Sequence, residues 1–93
     1  MRRFNSCYRF PSNRRAEKLK PLEQIEYVKG EAEELKEALL IGEGDMRVIE
    51  EAWDVIQTTE GVLRKFPTWM VVIGWARVKL KSWQRGDYER EVR

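Results

Sequence analysis

Ile25, Val28, Ala32, Leu35 and Leu39 recur at spacings of three and four. That period is the apolar stripe of an amphipathic helix. Pro21 suits a first helical turn, and Gly42-Glu43-Gly44 supplies the stop, so the pattern predicts a helix from Pro21 to about Ile41. Asp45 is expected as the N-cap of a second helix, Met46 to about Phe66. Val48, Ile49, Ala52, Trp53, Ile56, Thr59 and Leu63 form its apolar side, and Val55 and Val62 widen it. Pro67 ends that helix, and Thr68 is expected to cap a third, Trp69 to about Arg85, with Gly86 as its stop. Pro11, Ser12 and Asn13 break the N-terminal stretch and leave room for a short helix at about 13–19. No run alternates at period two for long enough to make a strand. The fold class is therefore all-α: an antiparallel helical hairpin followed by a third helix.

Composition sets the scale. The 93 residues, 42% hydrophobic and 37% charged, fit one small domain. It divides into a basic N-terminal head (1–20), a helical domain (21–86) and a charged tail (87–93). Three short helices cover the broad apolar side of the second one poorly. A homo-oligomer is expected, most simply a dimer that completes a helix bundle. The longest nearly apolar run, residues 69–76, is less than half of the roughly 20 residues a spanning helix needs. With no apolar signal region behind the basic N-terminus, no membrane association is expected, and a cytoplasmic location is the default. Cys7 is the single cysteine and there is no histidine. An intrachain disulfide, a thiolate zinc cage, haem ligation by histidine and histidine-based nucleophile triads are thereby excluded. Cys7 reads as an incidental thiol.

Charge is segregated. Residues 1–20 hold seven Lys/Arg against Glu17; residues 21–60 hold twelve Asp/Glu against Lys29, Lys36 and Arg47; residues 61–93 hold eight Lys/Arg against three acids. An acidic middle between basic ends is not the build of a simple DNA-binding domain. On a wheel of the first helix, Glu31 falls inside the arc set by Val28, Leu35 and Ala38, and Glu34 falls on its edge. A carboxylate facing a core is costly unless it is paired or holds a metal. Glu23, Glu26, Glu33, Glu37 and Glu60 read as ordinary solvated charges. The second helix repeats the spacing with Glu51 and Asp54. If the hairpin turns between residues 42 and 43, positions whose numbers sum to 85 lie level. Glu31 then faces Asp54, and Glu34 faces Glu51. Four carboxylates without histidine or thiolate select a hard cation, Mg²⁺ or Mn²⁺.

Glu31-Ala32-Glu33-Glu34-Leu35-Lys36-Glu37-Ala38, followed by Glu51-Ala52-Trp53-Asp54-Val55-Ile56, resembles the MazG-like all-α nucleoside triphosphate pyrophosphohydrolases. Their signature pairs E-x-x-E, usually followed by L-x-x-A, with a later E-x-x-D, and the match covers residues 24–56. The resemblance implies a homodimer or dimer of dimers, Mg²⁺ dependence, and cleavage of an NTP or dNTP to the monophosphate and pyrophosphate. It also implies that Glu31, Glu34, Glu51 and Asp54 are the catalytic metal ligands. Lys81 and Arg85 have the Lys-x-x-x-Arg spacing of phosphate-contacting residues in some members, and Arg47 is similar to a basic residue found in some relatives. Lys79 is a further basic candidate, and Glu50 a secondary candidate for the proton acceptor.

Trp53, Trp69, Trp75 and Trp83 read first as core or oligomer contacts. Trp83, beside Lys81 and Arg85, is the candidate for base stacking. Two other classes compete. A non-catalytic helical interaction protein would keep the fold without carboxylate-dependent metal binding. A nucleic-acid module, ranked last, would use Arg2, Arg3, Arg9, Arg14, Arg15, Lys18 and Lys20 with Phe4, Tyr8 and Phe10 interleaved.

Overall fold

The computed structural model describes residues 7–88. Arg2, Arg3 and Phe4 of the head, and the tail beyond Tyr88, lie outside the described residues. Four helices follow one another: α1 (Arg14–Glu17), α2 (Pro21–Ile41), α3 (Asp45–Leu63) and α4 (Thr68–Gln84). No described residue is in a strand, and no described helix is long and apolar enough to cross a membrane.

The first predicted helix forms as α2 over its expected span. At its start the Lys20 amide donates to Glu23 Oε1 at 2.7 Å. At its end Gly42, in the left-handed region at φ 75°, returns its N–H to the Ala38 carbonyl. Gly44 follows at φ 107°, a conformation that L side chains rarely adopt. This turn starts α3 one residue earlier than expected. Gly44 takes the N-cap position and Asp45 is already helical. The same shift occurs at α4, where extended Pro67 is the N-cap and Thr68 the first helical residue. α3 stops at Leu63, short of Phe66. Lys65 and Phe66 close i→i+3 bonds to Val62 and Leu63, and Pro67 disfavours a helical Phe66.

α2 and α3 pack as an antiparallel pair. The facing line on α2 is Gln24, Val28, Glu31, Leu35 and Ala38, spaced four and three, with Gln24 and Ala38 buried and the others half-buried. The line on α3 is Glu51, Asp54, Thr58 and Gly61, with Glu51 buried and the rest half-buried. The seam is thus rotated away from the apolar stripe that the periodicity marks. Ile25, Ala32 and Leu39 stay exposed. Polar side chains stand where an interhelix core would run.

The head is ordered from Tyr8 onward by contacts that the sequence reading did not foresee. Glu60, expected to be a solvated charge, is 8% exposed. Its Oε2 accepts from the Arg9 amide at 2.8 Å and its Oε1 from the Phe10 amide at 3.1 Å. Arg64 donates to the Phe10 carbonyl at 2.6 Å and lies 4.0 Å from the centre of the Tyr8 ring. Lys65 donates to the Ala16 carbonyl at 3.0 Å. Asn13 caps α1 by accepting from the Ala16 amide. Two of the aromatics assigned to a nucleic-acid grip are turned inward: Tyr8 is buried, and Phe10 meets Trp53 edge-on at 5.9 Å.

The single chain leaves most of its apolar surface open. Tyr8 and Ala38 are the buried hydrophobics among the described residues. α4 barely touches the hairpin. Met70, Val72, Ile73, Trp75, Val78, Leu80 and Trp83 along it are all exposed. The four tryptophans are exposed too, so none is a core residue of the isolated chain.

Candidate metal centre

Glu31 comes from the middle of α2, and Glu51 and Asp54 from successive turns of α3. Each offers a carboxylate oxygen within 4.8 Å of the other two. This is the level pairing that the hairpin register predicts for Glu31 and Asp54. The register has an independent check at the far end of the seam. Gly61 and Gln24 also sum to 85, and a Cβ on Gly61 would stand 2.5 Å from Gln24 Nε2.

Burial and neighbouring charge disfavour the anionic forms of Glu31 and Glu51. Glu51 is 1% exposed. Its carboxyl is raised above the ordinary value, first by burial, then by repulsion from Glu34 and Asp54, with Arg47 pulling the other way. The Glu31 carboxyl is also raised, by burial and by Glu34, Asp54 and Glu51. Glu31 Oε1 and Glu51 Oε1 are both buried and meet no hydrogen-bond donor. A buried acceptor left unpaired is costly. A hard divalent cation fits this donor set, because it needs oxygen ligands and offsets their mutual repulsion.

The remaining residues assigned from sequence divide into those near the trio and those away from it. Glu34 is exposed and lies outside the trio, but it faces Glu51 as the register predicts: a side-chain hydrogen bond joins the two, and its charge reaches both Glu31 and Glu51. Arg47 pairs with Glu51 from one turn earlier on α3, and also with Glu43 at 3.4 Å and Glu50 at 3.9 Å. It is the cluster's internal counter-ion. Glu50 is exposed and engaged by Arg47. Lys81 and Arg85 sit near the end of α4, and among the described residues no ion pair links them to the carboxylates. Arg85 binds Asp87 at 2.8 Å. Trp83 is tilted against Tyr88 at 6.1 Å, and Lys79 lies over Trp75 at 4.9 Å.

Sequence reasoning missed Gln24. It is 2% exposed on the same α2 line as Glu31; Nε2 donates to the Thr58 carbonyl at 2.9 Å, while Oε1 meets no donor. Its wheel position, beside Glu31, is the signal that would have found it. In comparisons with family models, curated proteins and solved structures, nothing matches the chain.

Proposed function

We propose that the chain hydrolyses a nucleoside triphosphate, NTP or dNTP, to the nucleoside monophosphate and pyrophosphate, with Mg²⁺ or Mn²⁺ held by Glu31, Glu51 and Asp54 and with Glu34 at the edge. The observation that carries this reading is the pair of buried, donorless oxygens, Glu31 Oε1 and Glu51 Oε1, inside a three-carboxylate cluster. The resemblance of the two acidic motifs to MazG-like enzymes points the same way.

The bound cation supplies charge reversal and Lewis acidity toward the α-phosphate. The protein's own groups do the rest. Glu34, the exposed acid of the cluster, and Asp54, half-buried, are the acceptors available for a water proton. Were Glu51 to ligate the cation, the Arg47 guanidinium would be free to meet the phosphates. Lys81 and Arg85 neutralise the leaving pyrophosphate. Among the described residues of the single chain no ion pair joins these two to the carboxylates, which is one reason to read the protein as a homodimer or larger homo-oligomer. The other is the open apolar face of α4, whose three cations and no acids oppose a net charge of −4 on each of α2 and α3. A cytoplasmic location fits this substrate.

The test is a pyrophosphate-release screen over canonical and modified NTPs and dNTPs with Mg²⁺. Turnover that disappears in EDTA and in Asp54→Asn, with the helical circular dichroism retained, supports the reading. Metal-independent release, or undiminished release by Asp54→Asn, overturns it. Absence of carboxylate-dependent Mg²⁺ binding by calorimetry would instead favour a non-catalytic interaction protein.

A further inference from the structure

A second feature lies on the same seam, beyond the carboxylates. Between the head, α2 and α3 there is a cavity of about 220 Å³. Gln24, Gln57, Thr58 and Gly61 line it from the hairpin, and Phe10 and Asn13 from the head. It begins one turn past Asp54 on α3, and Gln24 stands about 10 Å along α2 from Glu31 at 1.5 Å per residue.

We propose that this cavity is a nucleobase subsite, recognising an uncharged planar ring with an N–H or amino edge. The proposal rests on the triphosphate reading in taking that ring to be the base of the substrate. The first argument is electrostatic. The four charged groups of the wall are already engaged by the head: Glu60 by the Arg9 and Phe10 amides, Arg64 by the Phe10 carbonyl, Lys65 by the Ala16 carbonyl and Glu17 by the Ser12 hydroxyl. What remains is amide chemistry, which suits a neutral polar ring better than a phosphate.

The second argument is the unpaired acceptor. Gln24 Nε2 is fixed by the Thr58 carbonyl, and its Oε1 is buried without a donor. An acceptor in that state discriminates strongly in favour of a ligand that donates to it, because an analogue lacking the donor leaves it unpaired. Gln57, half-buried on the same wall, has its amide uncommitted among the described residues. The third argument is the space itself. Gly61 stands level with Gln24, and any Cβ there would drive into the Gln24 amide. The glycine leaves the room in which the Gln24 amide is seated against α3, on the wall of the cavity. A base in the cavity places its sugar and phosphates along the seam toward Glu31 and Asp54.

The test separates this subsite from the metal centre by omitting both metal and phosphate. The full chain, labelled with ¹⁵N, is titrated in EDTA with the common nucleosides, and the side-chain amide signals of Gln24 and Gln57 are followed. Saturable shifts of these signals with at least one nucleoside, weakened tenfold or more in Gln24→Leu, support the subsite. Gln57→Leu, a half-buried change, serves if Gln24→Leu does not fold and should weaken binding likewise. No saturable shift with any nucleoside overturns the proposal, and so does nucleoside binding that both variants leave unchanged. A parallel Mg²⁺ titration without nucleoside reads the carboxylates alone, so failure of the metal reading is seen separately.

Discussion

Arg47 spans one helical turn of α3 to pair with Glu51, the most buried acid among the described residues. Half of the Arg47 side chain is exposed, whereas that of Glu51 is 2% exposed. Its guanidinium is thus the accessible half of a one-sided pair and the natural group to yield to a metal. Arg47→Met removes the counter-charge and leaves Glu51 among Glu34 and Asp54 alone. Its melting temperature in EDTA at neutral pH is expected to fall. Mg²⁺ should restore most of the loss, since the cation replaces the missing charge. Thermal melts with and without Mg²⁺ measure both; a metal-insensitive loss would show that Arg47 acts through packing alone.

The raised carboxyls of Glu31 and Glu51 fix the sign of a pH effect. In the folded chain both acids favour the protonated form more than they do when unfolded. Their contribution to stability is therefore fully present below the ordinary carboxyl value of 4.5 and is lost as pH rises through their folded-state values. Metal-free protein should gain stability from this pair on mild acidification. Saturating Mg²⁺ should cancel the gain, because ligation needs the ionised form. Urea melts from pH 4 to 8 with and without Mg²⁺ test this, with Glu31→Gln/Glu51→Gln as the reference. A metal-free pH profile identical in that double variant would remove the assignment.

The register of this site was legible because two features of the sequence determine it. Helical period places Glu31 within the α2 seam, and the Gly42-Glu43-Gly44 turn sets which α3 residue stands opposite. Gln24 and Gly61 lie on the same line but carry no charge, so no misplaced carboxylate marks them in the sequence. Glu60 was misread for a different reason. Its partners are backbone amides some fifty residues earlier, at Arg9 and Phe10, and no side-chain pattern marks a backbone donor. The position of α4 was not legible either. Periodicity identifies an apolar face, but what covers that face is a tertiary fact, and among the described residues that face stays largely exposed.

Gly61→Ala should destabilise the hairpin through one contact. The new Cβ would lie 2.5 Å from Gln24 Nε2 and 2.9 Å from its Cδ. The Gln24 amide cannot swing away without giving up the Thr58 carbonyl. Overpacking of this kind costs about 1–3 kcal/mol. Gln24→Ala loses the hydrogen bond but also removes the obstacle. In Gln24→Ala/Gly61→Ala the two losses are therefore expected to be strongly non-additive, with the second substitution nearly free. Urea denaturation of the four proteins in this cycle gives the coupling. Additive losses would mean that Gly61 is needed for its backbone rather than for the space beside Gln24.

Glu60→Gln tests whether the head is held by one carboxylate. The two amides it binds, from Arg9 and Phe10, are consecutive, so a single carboxyl fixes the chain direction where the head meets α3. A glutamine keeps one acceptor and presents its amide NH2 to the other N–H. Hydrogen bonds to charged groups are worth about 1.5–3 kcal/mol, enough to release a short strap whose other ties are the Arg64 and Lys65 bonds to backbone carbonyls. Amide exchange at Arg9 and Phe10 should accelerate by tenfold or more, while the Ala38 and Glu51 amides in the hairpin keep their protection. Trp53 fluorescence should change as well, because the edge contact with Phe10 opens. Faster exchange throughout α2 and α3 would instead make Glu60 a support of the whole hairpin rather than an anchor for the head.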